Sequence, residues 1–136
     1  MNFQYFYEIP FFSNLSEKTL EKIIVLFEQV ILKKGDVVIQ MGDEAKGMYV
    51  IISGEVEVMM DGRHVANLTV KNFFGELALI TSEPRTASVT VVSDEFQAFY
   101  LTKEVFDSAK NELSEDVKKE ILRRIQENFE SSQKVI

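Results

Sequence analysis

The chain has 136 residues, enough for about one domain built around a single core. Hydrophobic residues make up 46% and aromatic residues 11% of the chain, which fits a packed globular protein and argues against disorder. The net charge of −7 makes DNA, RNA and anionic membranes poor partners, although one basic residue in a pocket can still hold a single phosphodiester.

Cysteine is absent, so disulfides and thiolate metal sites are excluded. No apolar run approaches the ~20 residues that span a bilayer. The first residues lack the basic region and cleavage site of a signal peptide. We therefore expect a soluble, cytoplasmic domain without membrane insertion.

The first 29 residues carry a helical pattern. Ser16 can cap a helix, and the apolar residues after it recur on one face, at Leu20, Ile23, Ile24 and Phe27. Residues 1–29 are therefore predicted to form N-terminal helices.

Short strands separated by turn residues follow over residues 30–101. Val56 and Val58 alternate with Glu55 and Glu57, and Asp61-Gly62 is a strong signal for a two-residue hairpin. Many short strands with no long helix between them indicate an antiparallel β-barrel or jelly roll.

Residues 102–130 are predicted to form two C-terminal helices, capped by Thr102 and Ser114. The second would carry an apolar stripe at Val117, Ile121, Leu122, Ile125 and Phe129. The predicted fold is therefore α+β and mainly β, a barrel flanked by helices at both ends in a single domain over residues 1–136.

Residues 74–89 contain a candidate anion-binding site. Gly75 allows a close backbone approach, and the short helical turn after it can present the amides of Leu77 and Ala78 to an anion. Arg85 can add paired hydrogen bonds. Glu76 does not suit an anion alone, but a ligand with both a phosphate and a sugar hydroxyl would satisfy it. For an isolated Gly-Glu and Pro-Arg pair, a surface turn with an exposed arginine is the favoured interpretation.

The wider sequence resembles the cyclic nucleotide-binding domain family. The sequences Gly-Glu-Leu-Ala-Leu (75–79) and Pro-Arg-Thr-Ala-Ser-Val (84–89) are similar to its phosphate-binding cassette. Lys34-Gly35-Asp36, Gln40–Asp43 and Met48–Val56 match its early strands and turns. The resemblance covers nearly the whole chain and is strongest to regulatory domains of cGMP- and cAMP-dependent protein kinases.

The resemblance implies a role for each cassette position. The amides of Leu77 and Ala78 and the guanidinium of Arg85 would hold the cyclic phosphate, and Glu76 would accept from the ribose 2′-hydroxyl. Together with Gly75, Thr86 and Ala87, these residues form the predicted ligand site.

Two further positions bear on the base of the nucleotide. A Ser or Thr after the cassette arginine is similar to sites that prefer cGMP, because its hydroxyl can bond the guanine amino group and the phosphate together. Thr86 therefore favours cGMP over cAMP, although Thr86 is also an ordinary β-branched residue at the start of a strand. Phe129 aligns with an aromatic lid that stacks on the purine in some kinase regulatory domains, and it equally fits an apolar contact with the barrel.

The expected function is a regulatory module that binds a cyclic nucleotide and controls a protein kinase catalytic domain in cis or in trans. A cAMP-binding regulatory-subunit domain, the sensor of a channel or transcription regulator, and a non-binding family member are the alternatives. No catalytic set and no metal cluster emerges from the sequence, so we expect neither enzymatic activity in this chain nor a metal cofactor.

Overall fold

The computed structural model describes residues 4–81, 83–108, 115–120 and 122–123. Its first part contains three short helices: α1 (Gln4–Tyr7), α2 (Pro10–Ser13) and α3 (Glu17–Ile24). The side chain of Ser16 caps α3 by accepting the Thr19 amide at 3.2 Å, as predicted. Within the described residues, no helix is long and apolar enough to cross a membrane.

Eight strands form two four-stranded antiparallel sheets, which confirms the predicted fold class. One sheet has the order β1-β8-β3-β6 and the other the order β2-β7-β4-β5. The strands are β1 (Glu28–Lys33), β2 (Val37–Ile39), β3 (Gly47–Ser53), β4 (Val56–Met60), β5 (Arg63–Leu68), β6 (Phe73–Phe74), β7 (Ser88–Val91) and β8 (Glu95–Thr102).

The hairpin signal and the short strand β6 show where local sequence is and is not informative. Asp61 and Gly62 close the β4–β5 hairpin, both with positive φ, as the sequence predicts. Strand β6 is not predicted, because two residues cannot show an alternation. It forms because Phe73 and Phe74 pair with Val50 and Tyr49 of β3. A 3₁₀ turn over Glu76–Leu79 follows it directly.

Two hydrophobic cores lie on opposite faces of the sheet that contains β3. Met48 and Val50 point into a core shared with the helices, whereas Ile51 points into the core between the two sheets. This alternation is the period of two expected for a strand buried on both faces. Val58, Phe74 and Val89 are fully buried in the core between the sheets.

Two further helical segments follow strand β8. Thr102 caps α4 (Lys103–Asp107) by accepting the Val105 amide at 3.0 Å, as predicted. Residues 115–120 and 122–123 are also helical, and we refer to them as the C-terminal helix. Phe106 and Val117 are fully buried in the helical core. The predicted cap Ser114 and the lid candidate Phe129 lie outside the described residues.

The predicted apolar stripe of the C-terminal helix is only partly right. Leu122 is 58% exposed, whereas Glu120, which is not part of the predicted stripe, is only 7% exposed. Glu120 is buried because its carboxylate accepts hydrogen bonds from the side chains of Asn14 and Arg123. A count of apolar residues alone cannot anticipate a carboxylate that is buried by its polar partners.

Candidate functional site

Gly75 brings the backbone into contact with Arg85. It lies between β6 and the 3₁₀ turn with φ 81° and ψ 8°, in the left-handed region that favours glycine. A Cβ at this position would lie 2.8 Å from the carbonyl oxygen of Gly47 and 3.2 Å from both terminal nitrogens of the Arg85 guanidinium. Glycine is therefore required at position 75 both by its conformation and by its neighbours.

Arg85 is fixed by its backbone as well as by its side chain. Its amide donates to the Asp43 carbonyl at 2.8 Å, and its carbonyl accepts the Gly42 amide at 2.9 Å. The side chain is 8% exposed, with Nη1 3.2 Å from the Gly75 oxygen and Nη2 2.5 Å from the Gly47 oxygen. These bonds engage two of the five guanidinium N–H groups, so the side chain retains capacity for an anion.

Burial lowers the pKa of the Arg85 guanidinium, while Tyr49, Tyr100 and Glu76 act in the opposite direction. An arginine nevertheless stays charged at neutral pH, because its ordinary pKa is so high. A buried cation is costly unless it is paired with negative charge. The site therefore favours an anionic group at this point.

The carboxylate of Glu76 is buried beside that cation. Glu76 is the first residue of the 3₁₀ turn and is 1% exposed, and its charge raises the pKa of Arg85. A buried carboxylate is a strong acceptor for a hydroxyl group. The pair thus offers one group for an anion and another for a hydroxyl.

Of the other residues in the predicted ligand site, only some lie beside Arg85. Leu77, Arg85 and Thr86 line one small cavity of about 50 Å³. Thr86 is exposed, whereas Ala87 is fully buried and belongs to the core between the sheets. The Ala78 amide donates to the Gly75 carbonyl oxygen at 3.1 Å.

A pair of tyrosines beside Arg85 is not anticipated by sequence reasoning. Tyr49 and Tyr100 are cross-strand partners whose rings stack with centroids 4.4 Å apart, and with Arg85 they line a cleft of about 420 Å³. Burial raises the pKa of both phenols, so they are neutral at physiological pH. The register of β3 and β8 brings them together, and two tyrosines 51 positions apart give no signal of it.

Acidic and histidine side chains do not gather in this region: among the residues that the structure describes, no group of three or more His, Cys, Asp or Glu could hold a metal ion. The site therefore consists of hydrogen-bond donors and acceptors around the buried charges of Arg85 and Glu76.

Comparisons with known proteins bear on the family of the chain. The chain is 36% identical over 95 residues to a cGMP-dependent protein kinase from Plasmodium berghei, covering 70% of the chain and 11% of the relative. It is 29% identical over 125 residues to a cyclic nucleotide-gated potassium channel from Rhizobium etli, covering 90% of the chain and 35% of the relative.

A solved structure of the regulatory domain of Toxoplasma gondii PKA with cAMP superposes with a TM-score of 0.70 at 28% identity, covering 82% of this chain and 44% of that one. The chain thus spans less than half the length of each of these proteins. The family model for the cyclic nucleotide-binding domain matches residues 29–112, more than half of the chain. The chain belongs to the cyclic nucleotide-binding domain family and is a binding domain, not a catalytic one.

Proposed function

We propose that this domain binds a cyclic nucleotide, cGMP in preference to cAMP, and that binding regulates a protein kinase. The observation that carries the proposal is the buried pair of Arg85 and Glu76 at the ends of one short loop. A cyclic phosphate matches the cation, and the adjacent ribose 2′-hydroxyl matches the carboxylate.

The phosphate is assigned to the Arg85 guanidinium and the amides of Leu77 and Ala78. In the structure, Arg85 and the Ala78 amide both donate to the Gly75 carbonyl oxygen. The cavity between Leu77, Arg85 and Thr86 measures about 50 Å³, against roughly 300 Å³ or more for a typical small-molecule site. Binding therefore includes a rearrangement of the 3₁₀ turn, in which phosphate oxygens replace the Gly75 carbonyl.

The preference for cGMP rests on Thr86. Its side chain is exposed and shares a cavity with Arg85, so a hydroxyl is available next to the assigned phosphate position. The name of the Plasmodium berghei relative supports cGMP, whereas the Toxoplasma gondii structure contains cAMP. The base preference is therefore a matter for direct measurement.

The output is assigned to a protein kinase catalytic domain, in cis or in trans, in the cytoplasm. Two of the three proteins compared above are kinases or kinase regulators by name. The Rhizobium etli channel favours a second candidate, a channel-gating sensor. In either case the domain is a two-state switch, which works only if the ligand binds one state more tightly than the other.

The test is calorimetric titration of the purified chain with cGMP and cAMP under identical conditions, with GMP as the non-cyclic control. We expect one saturable site for each cyclic nucleotide, with the smaller Kd for cGMP. Absence of binding by both would refute the proposed function. Tighter binding of cAMP would refute only the choice of base.

The kinase output needs a separate measurement on the full-length parent protein. We expect the kinase activity of the parent protein, with Arg85 intact, to rise when cyclic nucleotide is added. An ion conductance that responds to the same ligand would instead support the channel candidate.

A further inference from the structure

Two carboxylates, one turn apart on the C-terminal helix, hold it against the N-terminal helices. The Oδ2 atom of Asp116 accepts a hydrogen bond from the Thr19 hydroxyl at 2.6 Å and lies 3.5 Å from the Ser16 hydroxyl. The Oε1 atom of Glu120 accepts from the Asn14 side-chain amide at 3.1 Å. The C-terminal helix is thus bonded to both sides of the α3 N-terminus.

The Thr19–Asp116 and Asn14–Glu120 bonds each have one buried partner. Thr19 is 6% exposed and Glu120 is 7% exposed, and Val117, between the two carboxylates along the helix, is fully buried. Arg123 balances the charge of Glu120. Hydrogen bonds to a charged acceptor are stronger than neutral ones, and low exposure strengthens them further.

The same core connects this helix to the phosphate cassette. Leu79 of the 3₁₀ turn is fully buried in one cluster with Phe106 of α4 and Val117 of the C-terminal helix. Protein cores are close-packed and do not deform continuously. We therefore expect a displacement of the 3₁₀ turn to be transmitted through this cluster to the C-terminal helix.

We infer, resting on the proposed function, that Asp116 and Glu120 are affinity-determining residues that lower the affinity for cyclic nucleotide from outside the pocket. Ligand binding requires the 3₁₀ turn to release the Gly75 carbonyl. The bonds to Thr19 and Asn14 stabilise the arrangement in which that carbonyl is engaged. These bonds reduce the fraction of molecules that are able to bind the ligand. The apparent Kd is the intrinsic Kd divided by that fraction, so it rises as the fraction falls.

The first test compares the Kd of the wild-type chain with those of Thr19→Val and Asp116→Ala by calorimetry. Thr19→Val removes the hydroxyl and keeps the side-chain shape. Each variant is expected to bind cyclic nucleotide about three- to tenfold more tightly, as expected for a conformational equilibrium released from one bond. The double variant should bind no more tightly than Asp116→Ala alone, because the two residues share one interaction.

Glu115→Ala is the matched control, since Glu115 is exposed on the same helix. Its Kd should equal that of the wild type. Melting temperatures of all variants establish that they are folded under the conditions of the titration. Unchanged or weaker binding by folded Thr19→Val and Asp116→Ala would overturn the inference while leaving the proposed function intact.

A second measurement does not need a ligand. The amides of Ala78 and Ile80 are hydrogen-bonded within the 3₁₀ turn, so their hydrogen exchange reports its opening. Thr19→Val should accelerate exchange at both amides, and Glu115→Ala should not. If wild-type chain binds neither nucleotide, the proposed function fails, and this exchange comparison still decides whether the C-terminal helix restrains the turn.

Discussion

The guanidinium of Arg85 donates to the carbonyl oxygen of Gly75, with Nη1 3.2 Å from that oxygen. The same oxygen accepts the Ala78 amide at 3.1 Å. One protein carbonyl thus engages two of the donors that we assign to a cyclic phosphate. A phosphate oxygen carries a formal charge and forms stronger bonds with a guanidinium than a carbonyl does. Binding at this site is therefore an exchange of acceptors.

Replacing Arg85 with lysine should weaken cyclic nucleotide binding about ten- to hundredfold. The positive charge remains, but the planar fork that makes two parallel bonds is lost. A hydrogen bond to a charged group contributes about 1.5–3 kcal/mol, and each factor of ten in Kd corresponds to about 1.4 kcal/mol. Calorimetry measures the change directly.

Arg63→Lys is the matched control for that substitution. Arg63 begins β5 and is exposed at the hairpin, where a change from arginine to lysine leaves the cassette untouched. Its Kd should match the wild-type value. Equal affinity in wild type and Arg85→Lys would remove Arg85 from the phosphate site.

Glu76→Gln tests the sugar contact. Glutamine keeps the size and an acceptor oxygen but lacks the charge, so the bond from the ribose 2′-hydroxyl weakens. We expect the variant to bind cGMP about tenfold less tightly than the wild type does. For 2′-deoxy-cGMP, which lacks the hydroxyl, variant and wild type should have nearly the same affinity. This comparison forms a cycle between the protein group and the ligand group. Equal losses for both ligands would show that Glu76 acts through Arg85 and not through the hydroxyl.

Elements with a strong local signal were predictable from the sequence. The β4–β5 hairpin is indicated by alternating Val and Glu residues before Asp61-Gly62. The caps Ser16 and Thr102 are polar residues that immediately precede helical patterns. Strand β6 has no such signal, because its two residues are ordered by pairing with β3.

The same division applies to the site. Residues 75–78 and 85–87 are contiguous in two short motifs, so a family resemblance identifies them. Nη2 of Arg85 donates to the carbonyl oxygen of Gly47. Every residue type has such a backbone carbonyl, so the amino-acid sequence does not reveal this contact. The stacking of Tyr49 on Tyr100 depends on strand register, which local sequence does not define. Partners that act through the backbone or through tertiary pairing become visible only in the structure.

Thr86→Ala tests the choice of base. If the hydroxyl bonds the guanine amino group, its removal should weaken cGMP binding by about tenfold, the value of one good hydrogen bond, and leave cAMP binding nearly unchanged. Paired titrations of the variant and the wild type give the ratio of the two Kd values. A ratio that does not change would show that Thr86 is an ordinary residue at the entrance to β7.

Gly75→Ala and Gly62→Ala separate backbone strain from contact with the site. Both glycines have positive φ, 81° and 76°, so alanine at either position is strained by about 1–2 kcal/mol. A Cβ at Gly62 meets no atom within 4 Å, whereas one at Gly75 meets the guanidinium of Arg85 at 3.2 Å. Gly62→Ala should therefore lower the free energy of unfolding and leave the Kd unchanged.

Gly75→Ala should lower the free energy of unfolding further than Gly62→Ala and should weaken binding by at least about tenfold, because the added methyl group displaces the guanidinium from its acceptors. Urea unfolding gives the first quantity and calorimetry the second. If both variants lose the same stability and neither loses affinity, then the closeness of Gly75 to Arg85 has no consequence for the ligand, and the phosphate lies elsewhere. If only Gly75→Ala loses affinity, the loss follows from the contacts of the added methyl group with Gly47 and Arg85, because the strain is common to both variants.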